Sequence, residues 1–128
     1  MQQRQVLITG GGGFLGKVLA EKCVDRGDRV FSFSRTSRPE LSALGVVQII
    51  GDVTDKSAVA AAVRGMDVVF HLAARTGNWG RLAPFYKTNV KGTRNVIEAC
   101  RGSQVKVLVY TSTTRVMIEG RRVLPGTG

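Results

Sequence analysis

Short apolar runs alternate with amphipathic stretches along this chain, and each change of pattern falls at a glycine or a turn signal. Val6-Leu7-Ile8 reads as a buried strand. Leu15, Val18, Leu19 and Cys23 follow at helical spacing and predict an amphipathic helix with that stripe facing the core, ended by Arg26-Gly27-Asp28. Val30 to Ser34 predicts a second strand. Pro39 to Leu44 predicts a short helix closed by Gly45, and Val46 to Ile50 a third strand closed by Gly51. The Ala-rich stretch from Asp55 to Arg64 is expected to be helical, with Gly65 at its end.

Asp67 to Leu72 predicts a fourth strand, and residues 75–83 a loop containing Trp79. Tyr86, Val90, Ile97 and Cys100 predict the buried face of a long helix whose opposite face carries Lys87, Lys91, Arg94 and Arg101. Val105 to Tyr110 predicts a fifth strand. After Ser112 the pattern fades, and Pro125 to Gly128 reads as loop. Strands that alternate with helices imply right-handed crossovers and a parallel α/β sheet covered on both faces.

Length and composition narrow the class. One domain is expected from 128 residues with 43% apolar and 22% charged positions, a balance that excludes disorder. The longest apolar run, Val68 to Ala74, is short and interrupted by His71, so no membrane span is expected. The first residues lack a signal-peptide pattern, which suggests a cytoplasmic protein. Cys23 and Cys100 form neither a CxxC nor a Cys/His cluster and are expected to be buried thiols, with no metal site. The net charge of +10 raises nucleic-acid binding as a reading. However, the 13 Arg and 6 Lys are scattered rather than gathered in a stripe, which argues against it.

The 16 glycines are concentrated where chemistry is expected. Thr9-Gly10-Gly11-Gly12-Gly13-Phe14-Leu15-Gly16 joins the first strand to the first helix. A glycine-rich turn in that setting is the mark of a dinucleotide site in a Rossmann-type fold. Gly10 suits the tight turn. Gly13 lets pyrophosphate approach the backbone, and Gly16 lets the helix lie close to the sheet. The helix N-terminus then offers unpaired N–H groups and partial positive charge to the phosphates. No Lys-Ser/Thr pair follows, which argues against a nucleoside-triphosphate loop. A site for NAD places an acid at the end of the second strand. Here that end reads Phe31-Ser32-Phe33-Ser34-Arg35-Thr36-Ser37-Arg38, without one. Ser34, Arg35 and Arg38 suit a 2′-phosphate, so NADP(H) is favoured over NAD(H).

With these residues in view, the chain resembles the extended short-chain dehydrogenases/reductases, the epimerase/dehydratase superfamily. Thr9 to Gly16 matches their TGxxGFxG motif. Gly51-Asp52-Val53-Thr54-Asp55 is similar to their block after the third strand. The resemblance implies that Asp52 bonds the adenine and Val53 packs on it. Asp67 to Ala74 resembles the fourth-strand block, which implies that Leu72, Ala73 and Ala74 pass the nicotinamide ribose. Asn89 to Val96 resembles the NVxGTxNV helix, with Asn89 ordering the cofactor loop. Val109-Tyr110-Thr111-Ser112-Thr113 resembles the strand end carrying the catalytic hydroxyl, which implies Thr113, with Ser112 as second candidate. The glycine-loop positions implied to touch cofactor are Gly10, Gly12, Gly13, Phe14, Leu15 and Gly16. Within the superfamily the likeness is to the 3β-hydroxysteroid dehydrogenase group. The stretches Phe31 to Arg35, Pro39 to Leu41, Leu44 to Val46 and Thr76 to Gly80 more narrowly resemble bacterial 2-alkyl-3-oxoalkanoate reductases.

The resemblance implies a doubly wound sheet in the order 3-2-1-4-5. It also implies hydride transfer between the nicotinamide and a β-hydroxy or β-keto group, assisted by a Tyr and a Lys four residues later. No Tyr-x-x-x-Lys occurs here: Val90 stands four after Tyr86, and Thr114 four after Tyr110. Residues 1–128 are therefore expected to be the N-terminal portion of the dinucleotide-binding domain, without the substrate domain and inactive alone. His71 is expected to be structural, beneath the cofactor. The resemblance implies a homodimer through the helix from about Phe85 to Cys100 together with the family's helix after the fifth strand, so a dimer of residues 1–128 alone is expected to differ from it. Two alternatives stand beside the oxidoreductase reading: a nucleotide-sugar epimerase or dehydratase, which shares every one of these blocks, and a non-catalytic NADP(H)-binding module, which would not need a Tyr-x-x-x-Lys.

Overall fold

The computed structural model describes residues 3–10, 14–72 and 83–111. Five strands and four helices alternate: β1 (Gln5–Thr9), α1 (Phe14–Asp25), β2 (Arg29–Ser34), α2 (Pro39–Ala43), β3 (Val47–Ile50), α3 (Lys56–Val63), β4 (Val68–Leu72), α4 (Ala83–Gly102) and β5 (Val107–Thr111). All pairings are parallel and the order is β3-β2-β1-β4-β5. The Rossmann-type sheet expected from the sequence is thus the fold of the chain.

The central strands are β-branched and apolar because both their faces are covered. Alternate residues feed two cores. Val6, Ile8, Val30, Val68 and Leu72 pack under α1 and α2, with Ala20, Cys23 and Leu41. Leu7, Phe33 and Val69 pack under α3 and α4, with Val59, Val63, Val96 and Cys100. The caps follow the chemistry of their residues. Asp55 accepts the Ala58 N–H at the start of α3, at 3.2 Å. At the other end of the sheet, Arg4 and Arg26 both pair with Asp28, which anchors the α1–β2 turn against β1.

Two helix faces differ from expectation. In α1 the residues against the sheet are Gly16, Ala20 and Cys23, with Leu19 and Val24 partly covered, while Leu15 is exposed. In α4 the inner face is Gly92, Asn95, Val96 and Cys100, and Val90 and Ile97 lie outside. In α1 the buried face follows the small residues Gly16 and Ala20, and in α4 Gly92 and Asn95 face Val53 in the loop after β3, so neither inner face is set by the largest apolar side chains. The fifth strand also begins later than expected, at Val107. Val105 still bonds back to the Cys100 carbonyl, and Lys106 and Val107 reach the Asp67 carbonyl.

Candidate dinucleotide site

The crossover from β1 runs to β2 on one side, and the crossover from β3 returns to β4 on the other. The chain therefore diverges at the carboxyl ends of β1 and β4, where open α/β sheets bind ligands. Gly10 sits there with φ +78. A Cβ at Gly10 would stand 2.6 Å from the Leu72 carbonyl oxygen, so the chain leaving β1 can pass this close to the end of β4 only because this position is bare. Two expected cofactor residues, Gly10 and Leu72, are thereby in contact. Phe14 and Leu15 open α1, 86% and 48% exposed, beside this junction. Gly16 is buried on the same helix. Gly12, Gly13, Ala73, Ala74, Trp79, Ser112 and Thr113 lie outside the described residues. Asn89 lies on α4, its side chain outside the described set.

The second half of the site is built from the ends of β2 and β3. Ser34 ends β2 and its hydroxyl donates to the Thr36 carbonyl at 2.7 Å. Its own carbonyl accepts the Gly51 N–H at 2.9 Å. Arg35 and Arg38 are exposed on the segment that follows. Asp52 follows β3. The Thr54 amide N–H and then the Thr54 hydroxyl, each 2.9 Å from Oδ1, hold its carboxyl below the usual carboxylate range. The positive fields of Arg35 and Lys91 add to this. Ser34, Arg35, Arg38 and Asp52 thus share one end of the sheet.

Helix α4 fixes the Val53 backbone beside Asp52. The buried Asn95 amide donates to the Val53 carbonyl at 2.8 Å. A Cβ at Gly92 would meet Val53 Cγ2 at 2.6 Å. Neither Gly92 nor Asn95 was singled out by sequence reasoning, although both stand in the helix block. The signal was a glycine and an amide one turn apart on a helix otherwise read for its apolar stripe.

His71 is the other unexpected tie. Its ring is 5% exposed, with Nδ1 2.6 Å from the Thr9 hydroxyl and Nε2 2.9 Å from the Thr93 hydroxyl. It stacks on Tyr110 with centroids 5.6 Å apart. Burial pushes its pKa down to about 4, so the ring is neutral at pH 7. The imidazole ties β1, β4 and α4 together through Thr9 and Thr93. The two thiols are buried, as expected, and burial raises both, Cys100 to about 11, so they are poor nucleophiles. Among the described residues no cluster of His, Cys, Asp or Glu suits a metal. No described helix is long and apolar enough to cross a membrane.

The described residues fit a dinucleotide: a bare Gly10 against the end of β4, an exposed helix start, and a carboxylate and two guanidiniums after β3 and β2. Residues 7–127 match the sequence profile of the 3-beta hydroxysteroid dehydrogenase/isomerase family. The chain belongs to that family.

It is similar to the 2-alkyl-3-oxoalkanoate reductase of Stenotrophomonas maltophilia, 47% identical over 97% of this chain and 38% of that protein. It is also similar to human 3 beta-hydroxysteroid dehydrogenase type 7, 40% identical over 91% of this chain and 34% of that protein. The chain therefore spans little more than a third of these relatives. Among solved structures, Pen from Bacillus thuringiensis superposes with a TM-score of 0.77 at 32% identity, over 87% of this chain and 37% of that one. MoeE5, solved with UDP-glucose and NAD, superposes with a TM-score of 0.75 at 29% identity, over 88% of this chain and 37% of that one.

Proposed function

We propose that this 3β-hydroxysteroid dehydrogenase/isomerase family chain is the NADP(H)-binding portion of an oxidoreductase that interconverts a β-hydroxy and a β-keto group. The observation that carries the cofactor choice is the segment after β2. Ser34, Arg35 and Arg38 stand where a carboxylate would serve the ribose 2′-hydroxyl of NAD. Two exposed guanidiniums suit a dianionic 2′-phosphate, which a carboxylate there would repel. The likeness to 2-alkyl-3-oxoalkanoate reductases supports a long-chain or steroid-like β-keto substrate.

In this reading Gly10, Gly12, Gly13, Phe14, Leu15 and Gly16 hold the pyrophosphate, with Asp52 and Val53 at the adenine. Leu72, Ala73, Ala74 and Asn89 border the nicotinamide ribose, and Thr113 or Ser112 hydrogen-bonds the substrate carbonyl. The dinucleotide supplies the hydride. The chain's own residues orient it. Catalysis then requires a proton donor that this chain does not carry in a Tyr-x-x-x-Lys pattern, so residues 1–128 alone bind cofactor without turning over substrate. The protein works in the cytoplasm, forms a homodimer in which α4 supplies only part of the interface, and does not bind nucleic acid.

Calorimetric titration with NADPH and NADH tests this reading. Micromolar NADPH with weaker NADH is the expected result, and Arg35→Ala should weaken NADPH much more than NADH. The solved likeness to MoeE5 with UDP-glucose and NAD favours a second reading, an NAD-dependent enzyme of sugar nucleotides. Tighter NADH than NADPH would select it.

A further inference from the structure

Gln48 lies on β3, outside every motif of the family likeness, yet its side chain makes more hydrogen bonds than any loop residue around it. Its Oε1 accepts the Arg38 N–H at 2.8 Å, and its Nε2 donates to the Arg38 carbonyl at 2.9 Å. The second Nε2 hydrogen reaches the Ser42 hydroxyl at 2.8 Å. One amide therefore grips both backbone groups of Arg38 and the Ser42 side chain of α2. Gln48 pairs in register with Ser32, which aims it at the α1/α2 side of the sheet, under that segment. Arg38 is the N-cap of α2 and has no side-chain cap of its own, so the grip comes from Gln48.

The other end of the same segment is held just after β3. Gly51 N–H donates to the Ser34 carbonyl, and Ser34 closes its own turn on Thr36. Arg35, Thr36 and Ser37 thus form a short exposed bridge between two anchors, one on β3 and one on the residue that follows it. The guanidiniums at 35 and 38 start from a fixed backbone. Such preorganisation lowers the ordering cost of bidentate phosphate recognition.

We propose that Gln48 is a positioning residue for cofactor specificity: it fixes the Ser34–Arg38 segment as a receptor for the adenosine 2′-phosphate. The proposal rests on the NADP(H) reading above. It adds a residue that touches no cofactor itself and acts through the Arg38 backbone.

NADPH and NADH dissociation constants are measured by calorimetry for the 128-residue chain, for Gln48→Met and for Ser42→Ala. Gln48→Met removes all three bonds at similar volume. It should weaken NADPH about tenfold, equivalent to about 1.4 kcal/mol, and change NADH less than about twofold. A general loss of structure would lower both alike. Ser42→Ala removes one bond at an exposed helix position, and should shift the NADPH/NADH ratio in the same direction by a smaller factor even where Gln48→Met fails to fold. A wild-type preference for NADPH with an unchanged ratio in the variants overturns the role of Gln48 and leaves the NADP(H) reading standing. Equal wild-type affinity for the two cofactors, or binding of neither, overturns both.

Discussion

A methyl group at position 92 has no room. It would lie 2.6 Å from Val53 Cγ2 and 3.0 Å from Val53 Cβ, and Val53 is a short branched side chain that cannot swing aside. Gly92→Ala is expected to cost about 1–3 kcal/mol, the usual range for overpacking, read as a lower urea midpoint with unchanged slope. Because Val53 precedes Thr54, the anchor of Asp52, the same change should weaken the adenine end of the site. A stability loss with no change in cofactor affinity would separate the Val53 packing from the site. His71 makes a different residue-scale prediction. It is the one histidine of the chain, and its folded pKa of about 4 lies below the ordinary 6.5. Between those values the unfolded chain binds a proton that the folded chain refuses. Stability therefore falls as pH drops from 6.5 towards 4, and His71 adds nothing to the pH dependence above that window. The loss between pH 7 and 5 should be about 2 kcal/mol. Repeating the urea series on His71→Asn should flatten it. A slope that persists in the variant would assign the effect to other groups.

At the scale of elements, α4 holds the loop after β3 with one amide. Removing it in Asn95→Ala leaves the Val53 carbonyl without its side-chain donor. The cost should be about 1–3 kcal/mol, and it should be non-additive with Gly92→Ala because both act on the same peptide. A double-mutant cycle measures this. Simple additivity would mean that helix and loop are held elsewhere. These contacts mark the boundary of what the sequence makes legible. Strand and helix existence and the parallel order were readable because they rest on local periodicity and on the alternation of strand and helix. The inner faces of α1 and α4 were not, since hydrophobic stripes rank residues by size. Instead α1 buries Gly16 and Ala20, and α4 seats Gly92 and Asn95 against Val53 in the loop after β3. Gln48 was equally invisible. Its role depends on a register between β2 and β3 and on a helix cap two elements away, neither of which leaves a motif. Ser34, Arg35 and Arg38 were legible as chemistry, but their fixed backbone was not.

The whole molecule combines two opposing tendencies. Its charge of +10 pushes copies apart, and α4 presents Lys91, Arg94 and Arg101 beside the exposed Val90 and Ile97, so two such faces repel as well as attract. Against this, both outer strands of the sheet present apolar side chains. Val107 and Tyr110 are 48% and 45% exposed on β5, and Val47 and Ile50 are 44% and 55% exposed on β3. Among the described residues each of these strands has a partner on one side only. An apolar edge with open backbone groups invites a strand from another copy. The two tendencies answer salt in opposite ways from a dimer held by ion pairs. Screening shortens the repulsion to about 3 Å at 1 M ionic strength while leaving backbone pairing and apolar contact intact. Association of the 128-residue chain, followed by sedimentation velocity over a concentration series, should therefore increase with salt. Val107→Lys should suppress it, because a cation on an outer strand blocks edge pairing. Val47→Lys is the matching probe for β3, and the larger effect identifies the edge in use. If instead association weakens with salt and neither lysine matters, charged surfaces carry the contact and the edges are not its cause.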